Sequence, residues 1–122
     1  MRPVEFYPEP WSWNAWGGVN MKPDAYVKVD KRHFFLELDR STEGAAALSG
    51  QMNAYLRAYY GMDGGSFPLV LFVCHSPERA RFIQRECAKK SPRALFQVCQ
   101  FDEAIGVMSG ENADNRRTAG TA

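Results

Sequence analysis

Asp24, Glu37 and Asp39 are the residues whose types and spacing could do chemistry in this chain. Asp24 opens an alternating segment and the other two close a second one. If the two segments form a hairpin turning at Asp30-Lys31, facing residues sum to 61, so Asp24 faces Glu37 and Tyr26 faces Phe35. Facing side chains lie about 4.5–5.5 Å apart at Cβ, and Asp39 shares the face of Glu37 two residues along. Three carboxylates would then meet on one patch. At ~4 Å and an effective dielectric of 20, two of them repel by about 4 kcal/mol. A hard divalent cation removes that penalty, because Mg²⁺ or Mn²⁺ takes carboxylate oxygens and keeps waters of its own. A metal so held can activate water for phosphodiester cleavage. The alternative is that these acids sit at a solvated sheet edge, or pair with Lys22, Lys28 or Arg40.

The elements that must position them follow from periodicity. Asp24–Val29 and His33–Asp39 alternate with period two, which predicts strands. Val4–Tyr7 is a short first strand. Trp11, Trp13 and Trp16, followed by Gly17-Gly18, read as a loop packed over the core edge, with a base-stacking platform as the alternative. Leu48, Met52, Tyr55, Leu56 and Tyr59 form a helical stripe over Glu43–Tyr60, with Ser41 or Thr42 as N-cap and Gly61 and Gly64-Gly65 as its end. Phe67–Cys74 is almost wholly apolar, as a strand covered on both faces is. Ser76-Pro77-Glu78 opens a helix running to about Lys90. Leu95–Cys99 is a last strand, and Phe101–Val107 a short helix. The order β-ββ-α-β-α-β predicts an α/β fold: a mixed sheet with helices packed on it through right-handed crossovers. Residues 1–21 are an N-terminal strand and Trp-rich loop, 22–107 the core, and 108–122, small and polar, a disordered tail.

Composition bounds the function. The chain has 122 residues, 45% hydrophobic and 24% charged, with a formal net charge of +1, which suits one folded domain. Cys74, Cys87 and Cys99 show no metal spacing and read as reduced thiols. No apolar run is long enough to span a bilayer, and the N-terminus is not a signal peptide. A cytoplasmic protein with no membrane partner is the expectation, with a homodimer possible. On the second helix Arg81 and Arg85 are i, i+4 neighbours, a candidate phosphate-facing stripe or else a solvated helix face. Arg40 is a candidate phosphate contact or an ion-pair partner. His75 reads as a surface histidine.

Pro23-Asp24 followed by Glu37-Leu38-Asp39 resembles the PD-(D/E)xK signature of restriction-endonuclease-like nucleases. That resemblance implies a metal held by Asp24 and Glu37 and a lysine two residues after the Glu. Asp39 stands where that lysine is expected. Lys28 is then a candidate substitute, and Asp39 a candidate third metal ligand. Gln51…Tyr55 is similar to the Q-x-x-x-Y element of RecB-like exonucleases, which implies that both support the site. The string Glu37-Leu38-Asp39-Arg40-Ser41-Thr42-Glu43, with the Tyr55…Tyr59-Tyr60 helix, Phe67–Cys74 and Ser76–Arg81, resembles the replication-relaxation family of plasmids and mobile elements. The implied function is DNA processing or binding in plasmid replication or relaxation. The alternative is a catalytically inactive nuclease-like module that binds DNA or a replication partner protein. That family's usual winged-helix segment is not seen before Pro23, so DNA reading is expected from a partner, or the chain is a fragment.

Overall fold

A computed structural model describes residues 4–62 and 66–110. Along them run β1 (Val4–Pro8), β2 (Asn14–Trp16), β3 (Val19–Met21), β4 (Ala25–Val29), β5 (Arg32–Leu38), α1 (Ala45–Gly61), β6 (Leu69–Cys74), α2 (Pro77–Ala88), β7 (Phe96–Gln100) and α3 (Ala104–Ser109). Five strands form one mixed sheet in the order β1-β4-β5-β6-β7, and β2 and β3 pair separately. β1, β4 and β5 are antiparallel, while β5, β6 and β7 are parallel. The fold is α/β, as the element order predicts.

The β4–β5 hairpin has the predicted register: Val29 pairs with Arg32, Tyr26 with Phe35 and Ala25 with Leu36. Its turn places Asp30 at φ 57°, a left-handed conformation that aspartate tolerates better than most residues. β6 steps from β5 across α1, and β7 from β6 across α2, both in one direction. Right-handed crossovers therefore put α1 and α2 on the same face. There Phe35, Phe72 and Val70 pack with Leu48, Met52, Tyr55 and Ile83. On the opposite face Val27, Phe34, Leu36, Leu71 and Val73 form a second cluster, against which α3 places Ala104, Val107 and Met108. β5 and β6 are thus covered on both sides, which is why their sequences are so apolar.

Several boundaries differ from the sequence expectation. α1 begins at Ala45 with Gly44 as N-cap and no side-chain cap. Ser41 takes φ 63° and hydrogen-bonds the Asp39 carboxylate instead, so it does not cap the helix. α2 has the predicted Ser76 cap, accepting from the Arg79 N–H at 3.1 Å, but ends at Ala88. β7 starts one residue late, and Phe101–Glu103 form a 3₁₀ turn before α3. Met108 and Ser109, assigned to the tail, are the last turn of α3, while residues 111–122 of that tail, and Gly64 and Gly65, lie outside the described residues.

The Trp-rich segment is not a loop alone. Asn14–Trp16 and Val19–Met21 form a hairpin whose turn, Gly17-Gly18, takes φ 54° and 80°. Two positive φ values are what a tight type I′ turn requires, and glycine adopts them without strain. Gly17 also sits against the backbone of Ala58 and Gly61 in the last turn of α1, where neither Gly17 nor Gly61 has room for a Cβ. This contact seats Trp16 on Phe35 and Phe67, with ring centroids 5.4 and 5.8 Å apart.

Candidate functional site

The acidic residues gather at the carboxyl ends of β5 and β6. Parallel pairing continues past the last residue of β5, because the Asp39 N–H donates to the Val73 carbonyl at 2.8 Å. Alternation sends Glu37 and Asp39 to the face covered by α1 and α2. Just before β4 the Asp24 N–H donates to the Leu36 carbonyl at 3.1 Å, one residue out of the hairpin register, whose last pair is Ala25 with Leu36, so the expected Asp24–Glu37 facing pair does not form. Its Oδ2 turns back on β5 and accepts the Leu38 N–H at 2.7 Å.

Glu37 is buried, and α1 supplies its partners. Gln51 Nε2 donates to Oε2 at 2.7 Å, and the Tyr55 hydroxyl donates to Oε1. The i, i+4 spacing puts both donors on one helix face. Gln51 and Tyr55 therefore both hydrogen-bond Glu37. Burial pushes the Glu37 carboxyl up to about 8, opposed by the Tyr55 hydrogen bond and assisted by the charges of Asp24 and Glu43. At neutral pH it is mostly protonated, and the carboxyl can then donate to the Tyr55 oxygen across the same contact. Burial, and then the nearby Glu37 charge, hold the Tyr55 hydroxyl well above its ordinary value, so it remains a phenol.

Asp39 has the opposite fate. Arg79, on the first turn of α2, reaches it with both arms of its guanidinium: Nε to Oδ2 at 2.8 Å and Nη2 to Oδ1 at 2.6 Å. Arg79 Nη1 also donates to the Glu43 carbonyl at 3.2 Å. These hydrogen bonds hold the Asp39 carboxyl below its usual range, against its burial, and Ser41 adds to the effect. The Asp39 side chain is 1% exposed and that of Arg79 16%. Such a planar fork is the strongest form of the Arg–carboxylate contact.

The expected three-carboxylate metal site is therefore not assembled. Each Asp39 oxygen accepts a hydrogen bond from Arg79, and each Glu37 oxygen one from α1. Among the described residues no group of three His, Cys, Asp or Glu side chains is placed to share a metal ion. The space bounded by Glu37, Asp39, Glu43 and Gln51 is about 10 Å³, room for about one water. These residues do not fit a Mg²⁺ or Mn²⁺ ion with its own water shell, and Asp39 is corrected from metal ligand to ion-pair partner.

Lys28 is corrected too. It pairs with His33, four residues from Glu37 along β5, or roughly 13 Å at about 3.3 Å per residue. Tyr26 and Phe35 stand between. A shared face did not mean a shared site. Arg40 is exposed beside Asp39, and Arg81 and Arg85 are exposed on α2. Arg81 lies 3.8 Å from the exposed Glu78. Lys89 bonds Glu86, and Lys90 bonds Ser49 and Asn53 of α1. His75 is exposed and stacks on Phe101 at 5.7 Å.

Arg79 is the residue sequence reasoning missed. It sits forty positions from Asp39, and no local pattern links them. The usable signal was topological: β5 and β6 are parallel neighbours, so the first turn of the helix after β6 opens beside the end of β5. Comparison with family models, with curated proteins and with solved structures finds no match for this chain.

Proposed function

We propose that this chain is a restriction-endonuclease-like module without nuclease chemistry, which binds DNA in the replication or relaxation of a plasmid or mobile element. The observation that carries the loss of chemistry is the fate of Glu37 and Asp39. Asp39 is neutralised by the Arg79 fork, and Glu37 is enclosed by Tyr55 and Gln51. A nuclease of this type needs open carboxylate oxygens for its metal. DNA binding is supported by Arg81 and Arg85, exposed one turn apart on α2, and by exposed Arg40. All three lie toward the carboxyl ends of the parallel strands or on the helix that starts there, where open α/β sheets generally place their ligands. The link to plasmids rests on the resemblance of Glu37–Glu43 to the replication-relaxation string.

Titration of a labelled duplex and its single strand over a range of salt tests both halves. Each phosphate neutralised steepens the dependence of log affinity on log salt by roughly 0.9 for a duplex. Replacing Arg81 and Arg85 together by Ala is expected to flatten the slope by about 2. Incubation with Mg²⁺ or Mn²⁺ is expected to leave the DNA intact. Cleavage that disappears in Glu37→Gln refutes the inactive reading, and no salt-dependent binding to either DNA form refutes the DNA-binding one.

A further inference from the structure

Exposed and half-buried rings meet where β1 adjoins the β2–β3 hairpin. Tyr7, Trp11, Trp16 and Tyr26, with Ser12 and Asn14, line a cleft of about 230 Å³. Pockets for drug-sized ligands run from roughly 300 to 1,000 Å³, so this one suits a single flat ring system. Tyr26 forms the floor, its ring 6.1 Å from that of Tyr7 and 6.2 Å from that of Trp16, tilted by 35° and 34°. The floor is fixed: the Tyr26 hydroxyl bonds His33 Nδ1 at 2.9 Å, and His33 Nε2 meets Ser66 Oγ at 2.8 Å.

The rim is built to be exposed. Of the lining rings Trp11 is 74% exposed and Tyr7 41%, and Trp13, next to the cleft in sequence, is 43% exposed. The segment carrying the indoles is tied down, with Ser12 Oγ donating to the Pro23 carbonyl at 2.7 Å, and the Ser12 and Trp13 N–H groups donating to the Pro8 and Pro10 carbonyls. An ordered backbone that presents apolar rings to water marks a contact surface. Charge gives it a direction. The Glu5 carboxylate accepts from the Tyr7 hydroxyl at 3.4 Å on the β1 side, while Lys22 Nζ stands 5.1 Å over the Trp13 ring. Lys22, held over the Trp13 indole, would meet a phosphate of the bound strand.

We propose that this cleft takes an unpaired nucleobase, so that the DNA bound is single-stranded; the inference rests on the DNA-binding reading above. Stacking suits every base, because each has a π-face, but it requires a base out of its duplex.

Tryptophan fluorescence distinguishes the outcomes. The full chain is titrated with an oligodeoxythymidylate, an abasic oligonucleotide of the same length, and a duplex. The expected result is quenching and tightest binding with the thymidylate, and a loss of about tenfold or more in Trp11→Ala and in Tyr7→Ala for that ligand alone. Equal affinity for abasic and base-bearing strands overturns the inference while DNA binding stands. No binding to any oligonucleotide overturns both readings. Quenching by a lysine-rich peptide but by no oligonucleotide overturns the inference in favour of a protein partner.

Discussion

Replacing Arg79 by Ala leaves a carboxylate 1% exposed with its guanidinium gone. Removing one partner of a buried pair costs about 3–5 kcal/mol, because the remaining charge is left without compensation. A domain of this size holds roughly 5–15 kcal/mol in total, so the variant is expected to be marginal but folded. At about 4 °C per kcal/mol, its melting temperature should fall by roughly 12–20 °C. The pH dependence follows from the sign of the shift. The folded-state pKa of Asp39 is depressed, so the stability it contributes is present above the unfolded value of about 3.9 and is lost as pH falls through the folded one. The gap between wild type and Arg79→Ala should therefore be full at pH 7 and close below about pH 4. Urea unfolding of Arg79→Ala, Asp39→Asn and the double variant at pH 7 gives the coupling. The double variant should be more stable than the two single losses predict, because no charge is stranded in it. A loss under about 1 kcal/mol for Arg79→Ala, as an exposed pair gives, or strictly additive losses, would refute the buried-fork account.

Glu37→Gln probes the other acid. Burial raises the Glu37 carboxyl from 4.5 to about 8, so the unfolded chain ionises first as pH rises. Wild-type stability should therefore decline relative to Glu37→Gln between about pH 4.5 and 8, level off above, and match the variant's trend below. Urea midpoints at pH 4 and pH 8 check this, and parallel curves would contradict it. The hairpin tip gives a matched glycine pair. Gly18→Ala meets only the left-handed backbone cost, about 1–2 kcal/mol, because nothing stands where its Cβ would go. Gly17→Ala adds a collision with the Ala58 carbonyl and should cost clearly more, and equal losses would remove the α1 contact from the explanation.

The sequence carried the hairpin register because period two fixes which residues share a face, and the polar break at Asp30-Lys31 fixes their sum. The Gln51–Tyr55 pair was legible only through its resemblance to a Q-x-x-x-Y element, since period alone places Tyr55 in the apolar stripe of α1. The sequence did not carry the outcome at Asp39. That depends on a contact across forty residues, and on a guanidinium long enough to reach from α2 to β5. It also misled over Lys28, since sharing a face says nothing of position along the strand. Ser41 looked like a helix cap because its type and place suited one. The nearby charge of Asp39 competed for it and won, leaving Gly44 to open the helix.

Glu37 and Asp39 stand two residues apart and end in opposite charge states, and the cause is which helix reaches each. α1 comes down on Glu37 with Gln51 and Tyr55, which are neutral. They satisfy its oxygens but cannot offset the desolvation of a charge, so the proton stays. α2 begins at Asp39 with a guanidinium that supplies both charge and two aligned donors, so the proton goes. With Glu37 mostly protonated at neutral pH and Asp39 matched by Arg79, this pair sheds most of the repulsion that three bare carboxylates would suffer there. Like charges could have been held together by a divalent cation; here proton and guanidinium do that work from within the chain. That substitution ties both helices to the central strand of the sheet.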